Sequence, residues 1–147
     1  MSAEELEAIE AIRTLKARYF RCVDTKAWDE ILSLFEARAV FDFREDAPDA
    51  YQEDVQAFAQ MLSTVLAGAV TVHHGHTHEI AFRSADEATG VWAMEDRIWW
   101  SDGSTLHGYG HYHDLYRRGA DGRWRIAATR LARLRRDYTP PRERPLA

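Results

Sequence analysis

Residues 88–117 read Ala88-Thr-Gly-Val-Trp-Ala-Met-Glu-Asp-Arg-Ile-Trp-Trp-Ser-Asp102-Gly103-Ser-Thr-Leu-His-Gly-Tyr-Gly-His-Tyr-His-Asp-Leu-Tyr-Arg117. Two runs with a period of two, Ala88–Trp100 and Thr105–Arg117, flank an Asp-Gly pair. That period belongs to a strand with one buried face. Asp-Gly between aromatic and β-branched runs signals a hairpin, because the tight turn needs residues that accept positive φ. Asp121-Gly122 repeats the signal ahead of Arg123–Arg135. Val70–Phe82 has the same period and turns at Ser84–Glu87. Four long antiparallel strands are therefore predicted. A sheet of that length must curl to bury one face.

Upstream of Val70 the period changes to that of a helix. Ser2 and Glu5 have the spacing of a capping box. Leu6, Ile9, Ile12, Leu15, Phe20 and Val23 occur at helical intervals, so a long amphipathic helix should end near Asp24. A second, short helix is predicted over Lys26–Glu36, capped by Asp24 or Thr25, with Trp28, Ile31, Leu32 and Phe35 as its apolar stripe. Val40–Phe43 reads as a short strand, and the polar stretch 44–52, which contains Pro48, as a loop. Val55–Leu66 reads as a third helix closed by Gly68. Helices followed by an antiparallel meander give an α+β class. The expected architecture is a cone-shaped, curled antiparallel sheet, an α+β barrel whose three N-terminal helices enclose a pocket. The domain is expected to span 1–137, with 138–147, rich in proline, as an extended or disordered tail.

The chain has 147 residues, 46% of them hydrophobic and 12% aromatic, which suits one domain with a substantial core. Its net charge is −5, and that argues against general nucleic-acid binding. Eight arginines crowd residues 117–136 and four glutamates the first ten, a pattern read as solvated faces with ion pairs between elements. The single cysteine, Cys22, excludes an internal disulfide and reads as a small buried hydrophobe. No leader-like segment and no membrane-length apolar run is present, so a soluble, cytoplasmic protein without membrane partners is expected.

All seven histidines fall in two segments, four in 72–78 and three in 107–113. Alternation places His74, His76 and His78 on one face of their strand, and His73 on the other with Thr71 and Thr77. His107, Tyr109, His111 and His113 share a face of theirs. A metal site, an exposed polar face or subunit interface, and acid–base catalysis by one pocket-facing histidine all fit such clusters. For His74, His76 and His78 the exposed face or interface is favoured. Asp24, at the exit of the first helix, is well placed to orient a catalytic histidine. Tyr19 lies five residues earlier, about 140° round a continuous helix, so spacing alone favours Tyr19 as core.

The stretches Lys16-Ala-Arg-Tyr19-Phe-Arg-Cys-Val-Asp24-Thr-Lys-Ala-Trp28-Asp, His73-His-Gly-His76, Tyr112-His-Asp-Leu-Tyr116 and Asp121-Gly-Arg-Trp124 resemble the SnoaL-like branch of the nuclear transport factor 2-like superfamily. The likeness covers roughly residues 4–136, and bile-acid 7α-dehydratase, scytalone dehydratase and hexachlorocyclohexane dehydrochlorinase are nearest in motif. The resemblance implies a general base at His73, an orienting aspartate at Asp24, a tyrosine at Tyr19 and an arginine at Arg133. It also implies that no cofactor or metal is needed. His111, Glu95 and Trp92 are expected beside Arg133 as substrate contacts, although Glu95 and His111 depart from the pattern of the known dehydratases. The activity implied is that of an enzyme of the lyase or isomerase kind, dehydratase-like, acting on a small apolar oxygenated molecule such as a polyketide, steroid, terpenoid or aromatic compound. The alternative is a non-catalytic binding or assembly module of the same fold; a metal-dependent hydrolase or oxygenase is the least favoured. A homo-oligomer, dimer or trimer, is expected in either of the first two cases.

Overall fold

A computed structural model describes residues 1–143. The first helix, α1 (Ala3–Asp24), begins with the capping box: Glu5 N–H donates to Ser2 Oγ at 3.1 Å, and Ser2 N–H to Glu5 Oε2 at 2.8 Å. It ends directly after Asp24. Ala27 N–H bonds Cys22 C=O and Lys26 N–H bonds Val23 C=O, while Lys26 takes φ 57°. This is the paired closure usually built on glycine. It fixes the direction in which Asp24 leaves the helix.

The predicted second helix is shorter than expected. Only Trp28–Ile31 is α-helical (α2), and Leu32–Leu34 tightens into a 3-10 turn. Neither Asp24 nor Thr25 caps it; its cap position is Ala27, with no side-chain bond. Phe35 is already extended and opens strand β1 (Phe35–Asp42), which starts five residues before the predicted Val40. The reason is tertiary. The rings of Phe35 and Phe41 meet at 4.8 Å, those of Phe41 and Phe58 at 3.9 Å, and this cluster overrides the local helical spacing. Within the predicted loop, Tyr51–Gln52 forms a two-residue strand, β2, against Phe41 and Asp42. Helix α3 (Val55–Val65) is capped by Asp54, whose carboxylate accepts from Ala57 N–H at 2.9 Å.

The four long strands come next as β3 (Val70–Ser84), β4 (Glu87–Trp99), β5 (Thr105–Arg118) and β6 (Trp124–Thr139). Asp137, Tyr138 and Thr139 still pair with β5, so the sheet continues past residue 137; residues 144–147 of the expected tail lie outside the described ones. The strand order is β2-β1-β6-β5-β4-β3. The sheet is mixed rather than purely antiparallel, because β1 runs parallel to β6. It is curled but unclosed, with β2 and β3 at its edges. Along β4 and β5 every second residue is buried, from Ala88 to Ile98 and from Leu106 to Tyr116. The inner face of the sheet packs on α1 chiefly through β3 and β6 and on α3 through β1, and the α+β cone is complete.

A bulge in β3 changes the reading of the histidines. Gly75 pairs with Met94 but His78 with Trp92, so an extra residue enters β3 between them. Beyond it the alternation is shifted by one. His78 therefore joins the inner face and packs on Trp92 at 4.7 Å, while only His74 and His76 stay outside, together with the exposed Thr77.

Candidate active site

A cavity of about 410 Å³ lies between the inner face of the sheet, the end of α1 and helix α3. Its walls are mostly apolar, with Val23, Phe58, Leu62, Ile98, Leu106 and Leu131 among them. Polar groups converge from four elements: Tyr19 from α1, His73 from β3, Asp96 from β4 and Arg133 from β6. A few polar groups inside an apolar concavity is the ordinary make-up of a small-molecule site.

His73 is held from behind. Its Nδ1 lies 2.7 Å from Asp24 Oδ1, and its backbone N–H donates to Asp24 Oδ2 at 3.0 Å. Thr71 Oγ1 donates to Asp24 Oδ1 at 2.9 Å. Asp24 accepts all three bonds, so the ring nitrogen beside it carries the proton. In the neutral ring the opposite nitrogen, Nε2, keeps its lone pair; it lies 4.0 Å from Asp96 Oδ2. Phe20 lies nearly parallel to the imidazole, ring centres 6.5 Å apart, and limits its swing. Gly75 allows this: a Cβ there would come within 2.5 Å of the Phe20 ring.

Tyr19 is 3% exposed and lines the cavity, though α1 runs unbroken to Asp24. The angular separation along the helix is thus kept. Tyr19 faces the cavity while Asp24 reaches His73 from the rear. Burial, and then the charge of Asp114, raise the Tyr19 phenol above its ordinary pKa, so it stays protonated and can donate.

Arg133 stands on the cavity wall, but its donors are engaged. Nη1 and Nη2 donate to Asp96 at 2.8 and 3.0 Å, and Nε and Nη2 to Asp46 at 2.8 and 3.0 Å. Burial opposes its charge, yet the bonds to Asp96 and Asp46 raise its pKa overall. Asp96 and Asp46, both cavity residues, were not among the predicted contacts. The signal for such a pair was Gly108. A Cβ there would collide with Arg133 Nη1 and Asp96 Oδ1, so the ion pair rests on bare backbone. Glycine inside a strand marks such close approach.

The other predicted contacts lie elsewhere. Glu95 and His111 are on the convex face of the sheet, opposite the cavity. Glu95 Oε2 is 3.1 Å from His107 Nε2, and its Oε1 is 3.5 Å from His76 Nε2 and 3.7 Å from His74 Nδ1. The bond to His107 is the main cause of its lowered pKa. Among the described residues, no group of three or more His, Cys, Asp or Glu side chains is arranged to hold a metal ion. Trp92 is on the inner face but not at the cavity. Its Nε1 donates to Tyr116 Oη at 2.9 Å, and Tyr116 donates to Asp114 at 2.6 Å. Asp114 also accepts from Thr129 at 2.6 Å and lies 2.7 Å from Lys16 Nζ. Lys16 and Asp114 form an ion pair enclosed by the fold, with side chains 1% and 0% exposed. Burial lowers the Lys16 pKa, and Asp114 opposes that shift. The ammonium also sits 3.8 Å from the centre of the Tyr112 ring, which lines the cavity. This buried network beneath the cavity floor was not predicted.

Known structures share this architecture. A candidate scytalone dehydratase from Novosphingobium aromaticivorans DSM 12444 superposes with a TM-score of 0.85 at 21% identity, covering 97% of this chain and 94% of that one. The type 2 hexachlorocyclohexane dehydrochlorinase LinA gives 0.82 at 17% identity, covering 93% and 92%. A singly substituted form of Rv3472, a protein of unknown function from Mycobacterium tuberculosis, gives 0.76 at 25% identity, covering 90% and 75%. The first two likenesses, at such low identity, speak for the fold alone. The match to a family model is independent of them: residues 4–130 fit the SnoaL-like domain. That span takes in both helical and sheet halves and every cavity residue except Leu131, Arg133 and Arg136, and the chain belongs to the SnoaL-like domain family.

Proposed function

We propose that the chain is a cofactor-independent lyase or isomerase, dehydratase-like, in which His73 removes a proton from carbon. The observation that carries this reading is the 2.7 Å contact of His73 Nδ1 with Asp24, on a ring that lines a mostly apolar cavity and whose other nitrogen lies 4.0 Å from Asp96 of the cavity wall. Asp24 sets the tautomer and stabilises the imidazolium formed when Nε2 accepts the proton. The C–H electron pair becomes a carbon–carbon double bond or an enolate. In an elimination, the group on the neighbouring carbon leaves as water, its oxygen receiving a proton from the imidazolium. In an isomerisation, the imidazolium returns the proton to a different carbon. Tyr19, kept protonated by burial, donates to the oxygen on which charge develops. The mostly apolar wall fits a small oxygenated molecule of the polyketide, steroid, terpenoid or aromatic kind.

The test is a screen of hydroxylated ketones and polyketide-like lactones for elimination and for deuterium uptake from solvent. Wild type, His73→Gln and Asp24→Asn are compared. Loss of a positioned base should lower the rate by about 10²- to 10⁴-fold while the melting temperature of His73→Gln stays near that of wild type. Full activity in His73→Gln would sink the reading. Uptake by no compound in the panel would favour a binding module instead.

A further inference from the structure

Each N–H of the Arg133 guanidinium meets an acceptor. Asp96 takes one side of the fork and Asp46 the other, each through both carboxylate oxygens, and Nη1 also lies 3.9 Å from Met94 Sδ. Arg133 is 6% exposed, so water does not complete its shell. A ligand oxygen that reached it would find only the Nη1 hydrogen that faces the weakly accepting Met94 thioether. One of the two carboxylates must yield for Arg133 to hold a ligand carboxylate through a two-bonded fork.

The two are not equally held. Asp96 is 4% exposed and lies mid-strand in β4, bonded on both sides by β3 and β5. The sheet fixes its backbone, and its enclosed side chain has no route into solvent. Asp46 lies in the loop between β1 and β2, at the cavity mouth, 27% exposed. That loop folds through its own turns, with Asp46 and Ala47 N–H bonding Phe43 C=O and Ala50 N–H bonding Ala47 C=O. The side chain of Asp46 is held by Arg133 and, at 3.5 Å, by Arg136 Nε. The loop is fastened to β6 at two further points, where Arg133 N–H donates to Glu45 Oε1 at 3.1 Å and Arg136 Nη1 to the backbone carbonyl of Asp46 at 3.5 Å; neither holds the Asp46 carboxylate. Asp46 is therefore the exchangeable partner.

We infer that Arg133 and Arg136 form a carboxylate subsite which Asp46 fills from within, and that the substrate is a small, otherwise apolar carboxylic acid whose carboxylate exchanges with that of Asp46. Charge decides the class. The three cavity carboxylates Asp46, Asp49 and Asp96 already outnumber the two guanidiniums of Arg133 and Arg136. A carboxylate that takes the place of Asp46 on Arg133, with Asp46 turned into solvent at the cavity mouth, keeps the charge at the guanidinium and restores both of its forks. A neutral ligand that displaced Asp46 would leave Arg133 half paired in a poorly solvated place, which is unfavourable. The position also suits the chemistry. Asp96 Oδ2 is 3.0 Å from Arg133 Nη2 and 4.0 Å from His73 Nε2, so the guanidinium and the base stand on either side of one carboxylate in the same cavity. The word substrate rests on the proton-transfer reading; the subsite itself rests on the ion pairs.

The experiment is binding, which needs no turnover. Benzoate and cyclohexanecarboxylate are compared with benzamide and cyclohexanecarboxamide by calorimetry and ligand-observed NMR at neutral pH. The proteins are wild type, Asp46→Ala, Asp46→Asn and His73→Gln, each checked for folding by circular dichroism. Wild type should prefer each acid to its amide. An internal competitor lowers apparent affinity by the fraction of time it occupies the site, so Asp46→Ala should bind the acids at least about tenfold more tightly. The amides should change little. Asp46→Asn, which keeps the acceptor but not the charge, should fall between, and it serves if the alanine variant is unfolded. Equal binding of acids and amides, weaker acid binding by the Asp46 variants, or no binding of acids to any protein would overturn the subsite. His73→Gln should keep the preference for acids. Acid preference without deuterium uptake by any bound acid would sink proton transfer and leave the subsite standing. Uptake by neutral ketones with no acid preference would do the reverse.

Discussion

Asp24 and Lys16 show how far a single residue can be read from sequence. Asp24 was legible mainly through the family resemblance, which named it with His73; a carboxylate at a helix exit and a histidine on a strand allowed that pair without singling it out. Lys16 lies in the same motif without an assigned role, since a lysine at helical spacing reads as a solvated charge. Its side chain is 1% exposed and its partner Asp114 0%, so both are ions removed from water. Taking away one member of such a pair leaves the other uncompensated, and Lys16→Met should cost about 3–5 kcal/mol of stability. Tyr116 and Thr129 still donate to Asp114, which favours the lower end of that range. Urea denaturation measures it, and a loss below about 1 kcal/mol would mean that the pair behaves like a surface one. The double variant Lys16→Met with Asp114→Asn should recover part of the loss, because it removes the stranded charge.

At the scale of elements, the four long strands and their Asp-Gly turns derive from period and turn chemistry, and the structure has them within a few residues. The short second helix and the early start of β1 do not, because a cluster of phenylalanines decides them from a distance. The β3 bulge belongs with these. Period-two reasoning assumes an unbroken strand, and one inserted residue moves His78 to the inner face. Gly108 in β5 carries a prediction of its own. Gly108→Ala sets a methyl against Arg133 and Asp96, and overpacking of this kind typically costs about 1–3 kcal/mol. Thermal melting should show the loss, with weaker ligand binding as the pair is pushed aside. Gly122→Ala is the comparison: its site is open, and only its φ of 79° opposes the side chain. Its effect on ligand binding should be nil.

For the molecule as a whole, the cone separates two histidine groups by a sheet's thickness. His73 is inside with Asp24, while His74, His76 and His107 surround Glu95 outside. The outer group affects stability rather than the cavity. The bond to His107 holds the folded-state pKa of Glu95 below its ordinary 4.5. A depressed carboxylate pKa stabilises the fold above the ordinary value, and this stabilisation is lost as pH falls through the folded value. Glu95→Gln should therefore melt below wild type at neutral pH, and the gap should close in acid. A gap independent of pH, measured by calorimetry, would contradict this account.

The four-strand meander, the long capped first helix, the α+β class and the choice of His73 and Asp24 came from the sequence, the last mainly through resemblance. Each depends on local spacing or on a motif, and spacing is a property of the chain itself. The parallel pairing of β1 with β6, the bulge that turns His78 inward, the placement of Glu95 and His111 outside, and the clamp of Asp46 and Asp96 on Arg133 were decided by tertiary structure alone. They join residues as distant in sequence as Glu45 and Arg133, 88 positions apart. Whether such groups meet depends on how the curled sheet packs against its helices, and no local pattern in the chain encodes that.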